Sequence, residues 1–342
     1  LKFMHKKKIL VTGAAGFLGS HVCDALLKKD YSVTGVDDLS GGFLQNLDPR
    51  IDFVNCDIAN SDSIKELWKR KGPFRVVYHL AAYAAEGLSH FIRRFNYNNN
   101  LIGSVNLINE AVKSEVCECF VFTSSIAAYG EQEPPLLETT IPVPVDPYGI
   151  AKYAVELDLK SAHEMWGLNS VIFRPHNVYG KRQNIMDPYR NVVGIFMRCA
   201  IEGKPFPVFG DGLQSRAFSY VEDIAPVITD SAFRTDCFNE IFNIGSDEVS
   251  TVKQLAELIS IECNVELKIN WLEERVEAKH AYSDHSKLRK FFPDLQNTPL
   301  DKGIALMSKW VKETGVWEAS HPENVEVEKN LPDSWRKIIL GN

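Results

Sequence analysis

The sequence predicts an α/β fold: a doubly wound parallel sheet with helices on both faces, joined to a smaller mixed α/β C-terminal lobe. Three observations predict it. Short apolar, β-branched runs alternate with helical patterns through the first half of the chain. A glycine-rich turn, Gly13-Ala14-Ala15-Gly16-Phe17-Leu18-Gly19, separates the first such run from the first helical pattern. The alternation loosens after residue 175, and the stretch 181–220 is rich in Gly, Pro, Arg and aromatic residues.

The elements follow in order. KILVT (8–12) is a strand ending at the glycine turn, and Leu18, Val22, Ala25 and Leu26 mark the helix after it. YSVTGVD (31–37), IDFVNCD (51–57), FRVVYHLAA (74–82) and CFVFTSS (119–125) read as further strands with helices between them. The clearest helix runs from Asn100 to Val112, with Leu101, Val105, Ile108 and Val112 on one face. Parallel strands connected in this way take right-handed crossovers. Later, IFNIG (241–245) and VELKINWL (265–272) read as strands, and 251–260, 286–292 and 301–314 as helices. The expected division is a Rossmann-type nucleotide-binding domain over 4–175 and a substrate lobe over 176–342, interleaved with the first across a cleft.

Composition bounds the function. A chain of 342 residues with 45% hydrophobic and 24% charged residues has an ordinary soluble composition. A formal net charge of -7 argues against nucleic acid as the main partner. No apolar run approaches the ~20 residues that a membrane span needs. LKFMHKKKIL runs into a strand too soon for a signal peptide. Seven cysteines, odd in number and scattered, fit reduced thiols and a cytoplasmic setting. No Cys or His spacing suggests a metal site.

The glycine turn lets the backbone approach a pyrophosphate, and the helix behind it favours negative charge. A strand ending in Val36-Asp37-Asp38 follows at the distance where a carboxylate meets the adenine ribose hydroxyls. A carboxylate there repels a 2′-phosphate, and no Arg or Lys follows until Arg50. NAD is therefore expected rather than NADP, with Asp37 on the ribose and Asp38 in the turn. Asp57, beside Ile58, can reach the adenine amino group or sit in a solvated turn.

Downstream, Asp146 can cap a helix whose first turn holds Pro147. Tyr148 and Lys152 are then i and i+4, on one face. An ammonium near a phenol favours the phenolate and lowers its pKa, making a proton acceptor for a sugar or alcohol hydroxyl. The pair gains meaning from FTSSIAAYG (122–130), where Ser124 and Ser125 end a strand. A serine hydrolase would want glycines on both sides of its serine, and these have none. His79 reads as a buried structural histidine. His176 reads as a neighbour of nicotinamide or substrate, and His280 and His285 as flanking a surface turn.

These residues resemble the extended short-chain dehydrogenase/reductases, in their NAD-dependent nucleotide-sugar epimerase/dehydratase branch, UDP-glucose 4-epimerases among them. The matches are VTGAAGFLGSHV (11–22), VDDLSGG (36–42), YHLAA (78–82), NNNLIGSVNLI (98–108), FTSSIAAYG (122–130), PYGIAKYAVE (147–156), FRPHNVYGKRQ (173–183), VFGDGLQSRAFSYVEDIA (208–225) and HAYSDHSKL (280–288), in family order. The resemblance implies Ser125, Tyr148 and Lys152 as catalytic residues. It implies a cofactor path along Gly13, Gly16, Phe17, Leu18, Gly19, Asp37, Asp38, Asp57, Ile58, Leu80, Ala81, Ala82, Asn100, Tyr148, Lys152 and Pro175. Substrate contacts fall to Ser124, Ser125, Tyr148, Asn177, Arg216 and Arg275, the two arginines holding a diphosphate. The chain departs from the family at His176 (commonly Phe), Ala217 (usually Asp), Ala128 (usually Val) and Ala84, where some 4-epimerases carry Lys. The loop Tyr83 to Arg94 also differs from the best-known bacterial 4-epimerases.

Related dehydratases carry an acidic pair after the catalytic hydroxyl, and decarboxylases a Glu. Here Ile126-Ala127 follows, and neither moves protons. The resemblance therefore implies a UDP-hexose 4-epimerase, UDP-glucose/UDP-galactose first, acting through a 4-keto sugar with hydride returned from bound NADH. UDP-N-acetylhexosamine or UDP-uronate 4-epimerisation is the alternative, with a dehydratase or reductase, or a catalytically idle NAD-binding sensor, behind it. It also implies a homodimer through two helices, for which the apolar faces of 100–112 and 153–166 (Tyr153, Leu157, Ala162 and Trp166 among them) would serve as core or as subunit contact.

Overall fold

Seven parallel strands make the central sheet: β1 (Lys8–Thr12), β2 (Ser32–Asp37), β3 (Asp52–Asn55), β4 (Val76–His79), β5 (Cys119–Thr123), β6 (Ser170–Pro175) and β7 (Glu240–Ile244). In this computed structural model, which describes residues 7–274, 278–315, 317, 325–333 and 335–336, they lie in the order β7-β6-β5-β4-β1-β2-β3. Chain direction across the sheet reverses between β1 and β4, which opens a crevice at their carboxyl ends, where ligands bind in sheets of this type.

Ile9, Leu10 and Val11 are all fully buried, as expected of a parallel strand covered on both faces. One face packs on α1 (Phe17–Lys28), through Val22, Cys23 and Leu26. The other packs on α2 (Ser61–Lys71), α3 (Gly103–Lys113) and α4 (Pro147–Trp166), through Leu67, Leu107 and Val155. A separate core cluster lies between α5 (Val192–Glu202), α7 (Val252–Cys263) and α8 (Leu300–Thr314), with Phe196, Leu255 and Ile304 fully buried. The helix between them in sequence, α6 (Val221–Ser231), packs beside α1 through Ile224 and Ile228.

Several expectations shift. The last strand of the central sheet is β7, read in the sequence as part of the second lobe; it pairs with β6 along Val171–Pro175. The predicted helix 100–112 is the end of a longer helical run from Arg93 to Lys113, with a π-helical stretch at Asn98–Ile102. The strand expected over 265–272 is only Ile269–Leu272. The residues before it leave a left-handed Asn264 cap, and Val265 and Leu267 pack on the second core instead of forming a ladder. On α4, Ala162 is core, but Leu157 and Trp166 are 51% and 63% exposed and so do not serve the core. All seven thiols are free. No helix among the described residues is long and apolar enough to cross a membrane.

Candidate active site

β1 delivers the chain to Gly13, whose φ is +68°. A Cβ there would fall 2.7 Å from the Ala81 amide nitrogen, so only glycine lets the turn and the end of β4 meet. Leu80 N donates to the Thr12 carbonyl at 3.3 Å and Ala81 N to Thr12 Oγ1 at 3.3 Å, which lays the Leu80–Ala82 segment beside the glycine turn. Gly16 N closes the turn onto Gly13 O at 3.0 Å. α1 begins at Phe17 with no acidic residue in its first turn, so its amide end suits an anion. Leu18 is partly buried against the core, which leaves its backbone for the turn.

Asp37 ends β2 and is buried. Ala15 N donates to its Oδ2 at 3.0 Å and Leu39 N to its Oδ1 at 2.8 Å. Burial raises its pKa, and these amides oppose the rise. Each oxygen keeps a lone pair for a hydroxyl. Asp38 is exposed and accepts from Ser40 N and Oγ at 2.9 and 2.6 Å, a turn residue. Asp57 is also exposed and accepts from Ala59 N at 2.8 Å, while Ile58 is buried. Arg50, the first cation after β2, is held by Asp48 at 2.8 and 2.7 Å. A turn of glycines and alanines, a helix end without carboxylates and a buried acceptor on β2 fit a dinucleotide with a free 2′-hydroxyl.

α4 carries Tyr148 and Lys152, the pair expected to do acid–base chemistry. Asp146 Oδ1 accepts from Gly149 N at 2.9 Å, with Pro147 in the first turn. Ser89 Oγ accepts from Tyr148 N at 3.2 Å and Asn96 Nδ2 donates to Pro147 O at 2.8 Å, which ties the helix start to the 83–97 segment. A Cβ on Gly149 would stand 2.5 Å from Ala127 O. The helix therefore abuts the turn Ile126–Tyr129, which Ser125 caps by accepting from Ala127 N at 3.1 Å. The Ser125 hydroxyl acts on the Tyr148 phenol and favours its ionised form. Lys152 Nζ donates to Thr123 O at 2.8 Å and lies 5.8 Å from the Tyr148 ring centre.

Burial acts on both members of the pair. It raises the Tyr148 phenol, with Ser125 opposing, and pushes the Lys152 ammonium down to about 7, with Glu156 opposing. The phenol lowering expected from the i, i+4 spacing is thus not supplied by the polypeptide, because desolvation outweighs a neighbouring ammonium that is itself desolvated.

Asn100 sits in the π-helical stretch, a feature common at functional sites. It accepts from Tyr83 N at 2.9 Å and donates to Tyr83 O at 3.1 Å and Asn96 Oδ1 at 2.7 Å, bracing the loop after β4. His79 is structural: Nδ1 is 2.8 Å from Thr12 Oγ1 and Nε2 is 2.8 Å from Ser104 Oγ. Ser104 donates to Asn100 O at 2.8 Å, so it accepts from Nε2–H, and Nδ1 accepts from Thr12. Ser124, expected to contact substrate, donates to Glu156, whose carboxylate is paired with Arg174 at 2.9 and 2.5 Å. Its hydroxyl is thus engaged in a buried network.

Across the cleft, Asn177 has φ +40° and donates to Ala217 O at 3.3 Å. The neighbouring Arg216 Nη1 donates to Ser215 O at 2.8 Å and Lys279 O at 3.2 Å, on the strand Ser215–Ala217. Pro175 ends β6, partly exposed. Arg275 lies outside the described residues. His285, expected at a surface turn, has a fully buried ring held by His176 at 2.9 Å and Asp247 at 2.7 Å, because polar partners on both sides offset its burial. His280 is exposed and its Nδ1 lies 2.7 Å from Ser215 Oγ.

One residue escaped the sequence. Arg190 stacks over the Tyr83 ring at 4.7 Å and pairs with Asp187 at 2.8 Å. Its Nη2 is 2.8 Å from where a Gly41 Cβ would stand, and its charge reaches Tyr148. Gly41-Gly42 follows β2, and a Gly42 Cβ would meet Gly16 N at 2.9 Å. Arg190 thus lies between the glycine turn and Tyr148. The glycine pair beside Asp37 was the sequence signal that something large packs there.

Comparison with known proteins bears on the family and the fold. The family described as "NAD dependent epimerase/dehydratase family" matches residues 9–245. The UDP-glucose 4-epimerase of Mycolicibacterium smegmatis is 32% identical over 263 residues, 74% of this chain and 82% of that protein. A crystal structure of UDP-glucose 4-epimerase with UDP-glucose from Thermotoga maritima superposes with a TM-score of 0.84 at 32% identity, covering 90% of this chain and 99% of that one. The UDP-N-acetylglucosamine 4-epimerase of Methanobrevibacter ruminantium, in complex with UDP-N-acetylmuramic acid, superposes with a TM-score of 0.83 at 32% identity, covering 91% and 99%.

Proposed function

The chain belongs to the NAD-dependent epimerase/dehydratase family, and we propose that it interconverts the C4 epimers of a UDP-hexose, UDP-glucose and UDP-galactose first. The observation that carries this reading is the buried Ser125–Tyr148–Lys152 group abutting a turn, Ile126–Tyr129, that holds neither acid nor thiol. Without such a group, chemistry at the sugar stops at oxidation and return of hydride.

Hydride exchange with sugar C4 is the chemistry NAD supplies when bound. Gly13, Gly16 and the α1 amide end would hold its pyrophosphate, Asp37 its adenine ribose, and Arg190 would place a cation by the phosphates where Ala84 offers none. Tyr148 takes the 4-hydroxyl proton and later returns it. Ser125 donates to the reacting oxygen. Lys152 steadies the phenolate. Arg216, with Asn177 beside it, grips the diphosphate while the 4-keto sugar turns its other face, so the nucleotide end supplies the orientation that the reacting end needs.

A UDP-N-acetylhexosamine is the second reading, supported by the similarity to the Methanobrevibacter enzyme. Incubating the protein with UDP-galactose, UDP-N-acetylglucosamine and UDP-glucuronate separately tests both. Epimerisation of the first is expected, and no epimerisation of any, with NAD added, sinks the assignment. A homodimer is also proposed: Ile150 and Leu157, seven residues apart on one face of α4, are 40% and 51% exposed, and Ile102 nearby is 45% exposed. Monomer alone in sedimentation at micromolar concentration removes that claim. The free thiols support a cytoplasmic setting.

A further inference from the structure

We propose that His176, His285 and Asp247 form a buried, proton-holding chain that positions Arg216 and Asn177 for the substrate's diphosphate. His176 follows β6 and directly precedes Asn177. Its Nδ1 is 2.9 Å from Ala217 O, the same oxygen that accepts from Asn177 Nδ2. Its Nε2 is 2.9 Å from His285 Nε2, and His285 Nδ1 is 2.7 Å from Asp247 Oδ1. Ser219 completes the tie: its amide donates to Asn177 O at 3.2 Å and its hydroxyl to His176 O at 3.1 Å. Gly245 leaves the space, since a Cβ there would stand 2.3 Å from His176 Nε2.

Counting protons assigns the charge. Ala217 O only accepts, so His176 Nδ1 carries hydrogen. Burial without an adjacent carboxylate keeps His176 neutral, with a bare Nε2. His285 Nε2 must then donate into the gap between the rings. The contact to Asp247 needs one more hydrogen. Asp247 is half-exposed, paired also with Arg289, and held below its usual pKa, first by His285, so it is the carboxylate and His285 the imidazolium. Asp247 from the loop after β7 and Arg289 from the helix Ser286–Phe291 are the charged groups at the pair. If His285 loses its proton, one of the three gaps loses its hydrogen bond. The strand carrying Arg216 is then held less firmly.

The purpose assigned to the chain rests on the diphosphate reading of Arg216. Histidine-selective 15N NMR at pH 7 tests the proton count: His285 should be protonated on both nitrogens and His176 on Nδ1 alone. Two neutral rings overturn the proposal. Calorimetry with UDP-glucose at pH 7 tests the purpose. His176→Phe, which removes both ring contacts, should bind about tenfold more weakly, the scale of one charge-assisted hydrogen bond, with NAD affinity kept. Asp247→Asn, which removes the anion that holds the His285 hydrogen, should weaken binding in the same direction. If His176→Phe does not fold, the surface-accessible Asp247→Asn decides. UDP-glucose affinity equal to wild type in Asp247→Asn overturns the proposal. Arg216→Met separates the two readings: UDP-glucose binding equal to wild type removes the diphosphate role of Arg216, and with it the purpose given to the chain, whatever the NMR shows.

Discussion

Lys152 donates its ammonium to the Thr123 carbonyl at 2.8 Å while standing 5.8 Å from the Tyr148 ring centre, so one buried cation ties the end of β5 to the phenol on α4. Both residues are under a tenth exposed. The arrangement places charge where water does not screen it.

Tyr148→Phe should lower kcat by about 10²–10⁴-fold, the usual worth of a positioned acid–base group. NAD binding should persist, because only the phenol oxygen is lost. Turnover and cofactor fluorescence, measured on the same preparation, check this. Unchanged turnover would mean that the fold binds NAD without using this tyrosine.

Lys152→Met should abolish turnover yet stabilise the cofactor-stripped protein at pH 7. Burial lowers the ammonium to about 7 from 10.5, so the native state binds fewer protons than the unfolded chain between those values. Stability of the wild type therefore rises with pH across that window, and below it the full penalty applies. The gain in the variant at pH 7 should be on the order of 3 kcal/mol and shrink toward pH 10. Denaturant unfolding at pH 7 and 9.5 measures it.

Glu156→Gln should destabilise by about 3–5 kcal/mol, because it leaves the Arg174 guanidinium buried without its anion. Glu156 and Arg174 side chains are each 2% exposed and meet at 2.5 Å. The glutamine keeps one oxygen to which Ser124 can donate, but its NH2 then faces an Arg174 N–H, donor against donor. Chemical denaturation of the variant reports the loss, and a change under about 1 kcal/mol contradicts the role given to this pair.

Acid should unfold the protein partly through His79. Burial holds its pKa at about 3, below the usual 6.5, so between these values the unfolded chain takes up a proton that the native state refuses. Stability then falls as pH drops through that window, by up to about 1.4 kcal/mol per pH unit for this group. His79→Asn should start less stable at pH 7 and show a shallower slope below pH 6. Parallel curves for the two proteins would refute the assignment.

Much of the site was legible because its chemistry is local in sequence. Gly13 to Gly19 turn within one strand–helix junction, Asp37 ends the next strand, and Tyr148 and Lys152 share one helix face. What stayed hidden depends on chain segments far apart. Ser124 and Ser125 are adjacent hydroxyls, and only the packing of Glu156 and Arg174 decides that one joins a buried network while the other acts on Tyr148. Arg190 is more than a hundred residues from both Gly41 and Tyr83, and no periodicity announces their contact.

The sequence by itself determined the parallel α/β sheet, the glycine turn, the acidic end of β2 and the Tyr–Lys helix, because strand and helix periods and short-range spacing encode each of them. Only the tertiary structure decided the protonation states and the clamps. Desolvation raises Tyr148 and lowers Lys152 against the expectation from their spacing, since burial depends on everything packed around them. His176 and His285 stand 109 positions apart, and their contact exists because β6, the Ser215–Ala217 strand and the Ser286–Phe291 helix converge on one buried point.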